Sequence, residues 1–143
     1  MCLFVHDNRV LVADASTLKG KEGGRKIVSG NFFRVLGGGI HFNETAEDGV
    51  RREIREELQS EIKNLERIDV VESLFTYAGE RGHEIVFLFK GQLSNKALYK
   101  QKEIHIDEDE YEFDARWVSV DVLLNGDTPL YPTIDYKSLF QKI

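Results

Sequence analysis

The sequence predicts an α+β fold in which helices pack on a mixed β-sheet. Runs rich in β-branched and aromatic residues, which are typical of strands, lie both before and after a central segment. This central segment, from Thr45 to Ser60, has apolar residues four positions apart and is predicted to form one long helix. Strands on both sides of one long helix, in a chain of 143 residues, indicate a single domain over residues 1–143.

The composition is typical of a soluble globular protein. Hydrophobic residues make up 41% of the chain and charged residues 31%, which disfavours both disordered and membrane-embedded classes. No apolar run approaches the roughly 20 residues that span a bilayer, and the first residues lack a basic segment leading into an apolar one. Because Cys2 is the single cysteine, no internal disulfide can form. We therefore expect a cytoplasmic protein with no membrane partner, and Cys2 packed within a strand.

The net charge limits the class of ligand. With 25 acidic and 19 basic residues, the formal net charge is −6, so the surface should repel the phosphates of duplex nucleic acid. A small anionic substrate remains compatible with this charge, because a bound divalent cation inverts the local potential where acids cluster.

The N-terminal third is predicted to consist of strands interrupted by turns. Two apolar runs on either side of Asp7-Asn8 indicate a hairpin or paired strands, since both residue types tolerate turns. Residues 31–36 form a further predicted strand, which ends at the three glycines 37–39. Glycine there allows a turn with close backbone approach.

Residues 16–26 are predicted to form a solvent-exposed loop. The segment contains three glycines and four basic side chains in eleven residues. The alternative is that these basic side chains contact substrate phosphates: Lys19, Lys21, Arg25 and Lys26.

The central helix is the clearest local prediction. Thr45, followed by Asp48 three residues later, has the form of a capping box at its start. The apolar positions of its buried face are Ala46, Val50, Ile54 and Leu58.

The C-terminal half is predicted to alternate strands with short helices. Residues 69–78 and 83–93 are strand-like and are predicted to be joined across Gly79–Gly82. Residues 116–120 form a further strand, with Trp117 expected in the core. Two short helices follow, at residues 121–126, ending near Gly126, and at residues 136–140.

Three carboxylates of the central helix are predicted to share one sector. At about 100° per residue, Glu57 and Glu56 lie roughly 40° and 60° on either side of Glu53, at the edge of the apolar stripe. Clustered carboxylates suit a hard cation such as Mg²⁺. Arg52 could orient Glu56 through an i,i+4 pair, and Glu44 could accept from first-turn amides or reach the metal. The alternative interpretation is a charged, exposed helix without chemistry.

The spacing of these residues resembles a known family. The chain follows the order of the box of the Nudix hydrolases, the MutT-like family. The order is Gly38, five residues, Glu44, seven residues, Arg52-Glu53-Ile54, one residue, and Glu56-Glu57. The box covers residues 37–62, and the flanking strand order is also similar. The resemblance implies an α/β/α sandwich with a mixed β-sheet.

The resemblance also implies an activity: Mg²⁺-dependent hydrolysis of a diphosphate bond in a nucleoside diphosphate linked to another moiety, with Mn²⁺ as a substitute. Examples of such substrates are a nucleoside triphosphate, a dinucleoside polyphosphate and a nucleotide sugar. The implied metal ligands are Gly38, Glu53, Glu56 and Glu57, and the implied catalytic residues are Glu53, Glu56 and Arg52. The implied substrate-binding residues are Gly37, Gly38 and Tyr77.

The assignment of the base is open between Glu53 and Glu56. For a further acid from a later loop, Glu110 and Glu112 are candidates, with plain solvated acids as the alternative. The chain departs from the family at the end of the box, where Gln59 and Ser60 replace a glycine and an aliphatic residue. This departure places the C-terminal geometry of the helix in doubt.

Residues outside the box give only weak indications of the substrate. Tyr77 resembles a tyrosine of dinucleoside polyphosphate hydrolases by its spacing, and the absence of a proline about fifteen residues past the box disfavours typical ADP-ribose hydrolases. Phe32, Phe33 and Phe75 could line a base pocket with Tyr77, or serve only as packing. The pair His83-Glu84 resembles a segment near the site in some members, with a structural histidine as the alternative.

We expect a small nucleotide-like substrate and a monomer or homodimer. Two other functions compete with the enzyme. One is a Nudix-like domain that senses a nucleotide without cleaving it, and the other is an interaction protein with a charged helix.

Overall fold

A computed structural model describes residues 1–23 and 27–143 of the chain. The strands are β1 (Cys2–Leu3), β2 (Val5–His6), β3 (Arg9–Gly20), β4 (Phe33–Val35), β5 (Ile62–Tyr77), β6 (Glu80–Leu93), β7 (Glu103–Asp107), β8 (Tyr111–Ser119) and β9 (Leu130–Tyr131). The helices are α1 (Ala46–Leu58), α2 (Val120–Asn125) and α3 (Tyr136–Lys142), with a 3-10 turn at Lys96–Lys100.

The strands form two mixed sheets. The first has the order β1-β6-β5, with β1 parallel and β5 antiparallel to β6. The second has the order β7-β8-β3-β4-β9, in which only the β4–β9 pair is parallel among the described residues, and β2 pairs with β3 outside this path. The predicted α+β class with mixed pairing is confirmed. No helix in residues 1–23 and 27–143 is long and apolar enough to cross a bilayer.

Both predicted hairpins are present, and their turns have the left-handed backbone that such turns require. Asp7 and Asn8 have φ of 48° and 57° between β2 and β3. Ala78 and Gly79 have φ of 52° and 82° between β5 and β6, so the second turn begins one residue before the predicted Gly79–Gly82 segment.

The prediction of an exposed loop from residue 16 is wrong for its first part, because β3 continues to Gly20. After an irregularity beyond Asp14, the strand resumes pairing with β8 at Lys19. The Asp14 carboxylate accepts from both the amide and the hydroxyl of Ser16, at 3.0 and 2.6 Å, which satisfies the backbone at the irregularity. Lys21 forms an ion pair with Asp107. The predicted phosphate contacts of Arg25 and Lys26 lie outside the described residues.

The core lies between the sheets and α1. The apolar stripe of α1 is buried as predicted, with Val50, Ile54 and Leu58 at most 4% exposed. These side chains pack in a cluster that includes Cys2, which is buried as expected. Trp117 is partly buried against the same cluster, and its indole donates to the carbonyl of Leu98 at 3.0 Å.

Helix α1 begins and ends with side-chain or backbone caps. The hydroxyl of Thr45 accepts from the amide of Asp48 at 3.0 Å, which confirms the predicted N-cap. At the other end, Gln59 adopts the left-handed conformation with φ of 49° and ψ of 44°, and its amide donates to the carbonyl of Arg55. Gln59 thus occupies the left-handed position that the family fills with glycine, so the helix ends with the usual geometry despite the replacement.

We expect Gln59→Gly to stabilise the protein. A left-handed residue with a Cβ costs roughly 1–2 kcal/mol, whereas glycine adopts this conformation freely. The substitution also removes the hydrogen bond from the Gln59 side chain to the carbonyl of Glu56, at 2.8 Å. The net gain in the free energy of unfolding should therefore be about 0.5 kcal/mol, measured by urea denaturation. A loss of stability would show that the side-chain hydrogen bond outweighs the backbone strain.

Candidate active site

The glycine turn brings backbone directly against α1. An added Cβ on Gly38 would lie 2.5 Å from Cδ and Oε1 of Glu53. Gly37 has φ of 133°, and a Cβ there would lie 2.7 Å from Cα of Met1. Gly37 therefore favours glycine for its backbone conformation and its contact with Met1. Gly38 favours glycine because the Glu53 carboxylate occupies the space of a side chain.

Three carboxylates meet beside this turn. Glu53, Glu57 and Glu108 each have an oxygen such that these atoms all lie within 4.8 Å of one another. We call these three residues the acid cluster. Helix α1 supplies two members one turn apart, and the third comes from the connection between β7 and β8. Among residues 1–23 and 27–143, this is the group of acids with the spacing of a metal site.

Glu108 is a member that the sequence did not predict. The later acid was expected at Glu110 or Glu112. Glu112 instead lies on β8, 3.8 Å from the imidazole of His105, and the carbonyl of Glu110 accepts from Lys21. The amide of Glu108 donates to the carbonyl of Tyr111 at 2.9 Å, closing the turn that places its side chain near α1.

Glu57 is the most buried member of the acid cluster. It is 6% exposed, and among the described residues no group hydrogen-bonds its Oε1. Burial, followed by the charges of Glu53 and Glu108, raises the pKa of Glu57 to about 8. Burial, followed by the charge of Glu53, also raises the pKa of Glu108 above its usual value. A buried, unpartnered carboxylate beside two other acids calls for a cation.

Arg52 connects the glycine turn to the helix. Its Nε and Nη2 donate to both oxygens of Glu44, at 2.8 and 3.0 Å, and Nη2 also donates to the carbonyl of Gly39 at 2.9 Å. Its Nη1 donates to Glu53 at 3.0 Å and to Glu56 at 3.3 Å. The predicted pair with Glu56 is present, but Glu44 and Glu53 are the closer partners.

Glu44 serves the arginine rather than the cluster. The hydrogen bonds from Arg52, followed by the one from the amide of His41, hold the pKa of Glu44 down at about 2. The His41 amide donates at 3.0 Å. The described hydrogen bonds to Glu44 thus come from Arg52 and from the His41 amide rather than from first-turn amides, and its contact with a metal stays a prediction.

Glu56 lies beside the acid cluster and outside it. Its side chain is 51% exposed, against 14% for Glu53. Of the three helix carboxylates predicted to share one sector, Glu57 is thus buried, Glu53 is partly buried beside it, and Glu56 faces solvent.

We expect Arg52→Lys to lower activity by about 10- to 100-fold, as is typical for a residue that orients ligands. One ammonium cannot bridge Glu44, the Gly39 carbonyl and Glu53 as the planar guanidinium does. Steady-state kinetics measures the loss. Arg55→Lys is the matched control, because Arg55 lies on the same helix and pairs with the exposed Glu61 at 2.7 Å. Equal activities in the two variants would contradict the orienting role.

A cavity of about 470 Å³ adjoins the acid cluster and is lined by Glu57 and Arg34. Its aromatic lining residues come from both sheets: Phe32, Phe75, Tyr77, Tyr111, Phe113 and Tyr131. Gly38 lines a second cavity of about 420 Å³, which also includes Arg34. The predicted aromatic residues are thus brought together, except Phe33, which packs against a separate group of buried apolar residues that includes Val35 and Leu130.

Tyr77 contributes its ring to the larger cavity, while its hydroxyl is occupied elsewhere. The hydroxyl accepts from the amide of Val28 at 3.0 Å and donates to the Val28 carbonyl at 2.6 Å. Of the predicted pair, Glu84 lines the cavity and His83 does not. The imidazole of His83 lies 2.9 Å from Glu72 on an exposed part of the hairpin, which favours a structural histidine.

Comparison with known proteins agrees with this geometry. The structure is similar to the mutator MutT protein from Bacillus halodurans, with a TM-score of 0.57, 20% identity, and coverage of 98% of this chain and 76% of that one. It is also similar to the solution structure of the E. coli ORF135 protein, with a TM-score of 0.47, 17% identity, and coverage of 92% and 77%. Among curated protein sequences, none gives a significant match. A family model of the NUDIX domain matches residues 1–137, so the chain belongs to the Nudix family and is a hydrolase of phosphoric anhydride bonds.

Proposed function

We propose that the protein uses Mg²⁺ to hydrolyse a diphosphate bond in a nucleoside diphosphate linked to another moiety. The observation that carries this proposal is the acid cluster, in which one buried and two partly buried carboxylates converge beside an aromatic cavity. Mn²⁺ is expected to substitute, because it also prefers oxygen ligands.

The residues of the acid cluster fit a hard divalent cation. Glu57 has a buried oxygen without a hydrogen-bond partner in the described chain, and Glu53 and Glu108 approach it closely enough to share an ion. Without a cation, three carboxylates this close repel one another, and one of them retains a proton. Glu53, Glu57 and Glu108 would hold the ion, with the Gly38 backbone and Glu56 as further ligands that the family resemblance implies.

The cation, when bound, would neutralise phosphate charge and lower the pKa of a water. The side chains of the chain then have separate tasks. Arg52 holds Glu53 in place, while Glu56, half exposed and outside the cluster, is free to accept a proton from water. Glu53 is the other candidate base. We favour Glu56 as the base over its implied role as a ligand, because it lies outside the acid cluster, whereas Glu53 belongs to it and a carboxylate shared with a cation is a weaker proton acceptor.

The larger cavity is proposed as the site of the nucleoside. Its volume falls in the range of small-molecule sites, and its aromatic lining suits a base. The ring of Tyr77 would stack, since its hydroxyl is already bonded to Val28. We also propose that the chain acts as a single domain in the cytoplasm, where a lone, buried Cys2 stays reduced.

The decisive experiment is a screen of nucleoside triphosphates, dinucleoside polyphosphates and nucleotide sugars with Mg²⁺, with Mn²⁺ and with EDTA. We expect metal-dependent release of a nucleoside monophosphate, or of diphosphate from a triphosphate, identified by chromatography. The double variant Glu53→Gln/Glu57→Gln is the control and should be inactive while retaining its fold by circular dichroism. Full activity in this variant would exclude the assigned site. Thermal stabilisation by nucleotides without turnover would indicate a sensing domain instead.

A further inference from the structure

Arg34 lies at the site but has no role in the proposed reaction described above. It lies on β4 opposite Ala13, and the half-buried side chain lines both cavities. Glu57 lines the larger cavity with it, and Gly38 lines the smaller one. Among the described residues that line the larger cavity, Arg34 is the one cationic side chain.

Most of the hydrogen-bonding capacity of Arg34 is unused by the part of the chain that the structure describes. Its Nη1 donates to the carbonyl of Gly37 at 3.0 Å. Within residues 1–23 and 27–143, that is its only side-chain hydrogen bond, and it has no ion pair within 4 Å. A guanidinium has five N–H donors in a planar fork, so several of them remain available to a ligand.

The surroundings of Arg34 favour an anionic ligand. Arg34 and Glu57 line the same cavity. They do not form a salt bridge, which would have consumed the donors of the arginine. A phosphate that approaches the acid cluster would meet this cation next to three carboxylates that otherwise repel it.

We propose that Arg34 binds a phosphate oxygen of the substrate, at the boundary between the aromatic cavity and the acid cluster. The proposal rests on the proposed function, because it assumes that a nucleotide spans these two places. If the base lies in the cavity and a phosphate lies near the acid cluster, the part of the nucleotide between them passes Arg34, which lines the cavity with Glu57. Planar guanidinium donors match phosphate oxygens in a bidentate manner.

This role gives the site a selection rule. Ligands that carry a phosphate or diphosphate group gain a charge-assisted contact that does not depend on the metal, whereas nucleosides do not. The competing explanation is structural, since Arg34 could serve only to hold the Gly37 carbonyl. A structural role alone predicts that its loss disturbs the glycine turn, and with it the metal affinity.

The test measures binding of methylenediphosphonate, a diphosphate analogue that cannot be hydrolysed, by calorimetry with Mg²⁺ present. We expect Arg34→Gln to weaken binding by roughly 10- to 100-fold, the value of a hydrogen bond to a charged group. Arg34→Lys should recover part of the affinity. Arg9→Gln is the matched control, because Arg9 is exposed on β3, and it should bind as the wild type does.

Two further readings separate the phosphate role from the structural one. Mn²⁺ affinity, measured by electron paramagnetic resonance, should be no lower in Arg34→Gln than in the wild type, because the variant loses a positive charge near the acid cluster. The affinity for methylenediphosphonate should depend less steeply on salt in the variant, since one phosphate contact is missing. A parallel loss of Mn²⁺ affinity, or an unchanged affinity for methylenediphosphonate, would overturn the proposal.

The outcome for Arg34 does not depend on turnover. If the wild type hydrolyses none of the nucleotides in the screen, the proposed function fails while the binding comparison still decides the role of Arg34. If the wild type itself does not bind methylenediphosphonate, the phosphate role of Arg34 is wrong even when a nucleotide is hydrolysed.

Discussion

Glu57→Gln is expected to abolish metal-dependent hydrolysis and, at the same time, to stabilise the metal-free protein above pH 8. Glu57 is buried in the acid cluster with one oxygen that has no described hydrogen-bond partner. A glutamine at this position cannot supply the charge that a cation requires. Loss of a residue that only orients a metal ligand costs up to roughly 100-fold in activity, and the loss of Glu57, a proposed ligand itself, should cost well over that.

The gain in stability follows from the raised pKa of Glu57. The pKa rises from its usual 4.5 to about 8 in the folded chain, so the folded state retains a proton that the unfolded state releases. The stability that this retained proton contributes is fully present below about pH 4.5 and is lost as the pH rises through about 8. Because glutamine is neutral at all pH values, the variant lacks this loss. Above pH 8 it should be more stable than the wild type by about 2–4 kcal/mol.

Urea denaturation in EDTA, at pH values below 4.5 and above 8, measures this difference. Glu47→Gln is the matched control, because Glu47 lies on the same helix with a side chain that is 59% exposed. Its stability difference from the wild type should vary little with pH. Mn²⁺ should stabilise the wild type above pH 8 and leave Glu57→Gln unchanged. A variant that is less stable than the wild type at high pH would refute the account of a buried, charged carboxyl.

The part of the site on α1 could be predicted because it depends on local geometry. Residues three and four positions apart share one side of a helix, so Glu53 and Glu57 had to lie together once the helix was recognised. Thr45 marked where the helix begins, and the apolar stripe decided which side is buried. The exposure of Glu56 was also within reach, since it lies farther from that stripe than Glu57 does.

Glu108 could not be predicted because its position depends on pairing between distant strands. Strand β7 is a five-residue segment whose alternation, EIHID, becomes a strand signal only when β8 is known to lie beside it. The turn between these strands then directs Glu108 to α1. The signal in the sequence is the alternation of Ile104 and Ile106 with polar residues, which indicates a short strand but not the partner strand that turns Glu108 toward α1.

Arg34 was missed for a related reason. In the sequence it is one basic residue within an apolar strand, and nothing local distinguishes a cation in a cavity from one in solvent. Its neighbours come from β3, β9 and α1, which are distant in sequence. The extension of β3 to Gly20 was missed for the same reason. Strand β8, which is distant in sequence, supplies the partner that stabilises this glycine- and lysine-containing end as a strand.

Gly38→Ala is expected to reduce metal affinity and activity with little effect on the fold. The added methyl would lie 2.5 Å from Cδ and Oε1 of Glu53 and 2.6 Å from Oε2, so this carboxylate has to move. Glu53 belongs to the acid cluster and accepts a hydrogen bond from Arg52, and its displacement changes both arrangements. We expect Mn²⁺ affinity and kcat/KM each to fall by about 10- to 100-fold, as for other losses of ligand positioning.

The neighbouring glycine provides the control. A Cβ on Gly39 would have no heavy atom within 4 Å, so Gly39→Ala adds the same methyl group one residue away without displacing a carboxylate. Its carbonyl, which accepts from Arg52, belongs to the backbone and is retained. If both variants lost activity equally, the cause would be the reduced freedom of the glycine turn. If Gly38→Ala alone lost it, the cause would be the position of Glu53, since only that variant places a methyl group on the carboxylate.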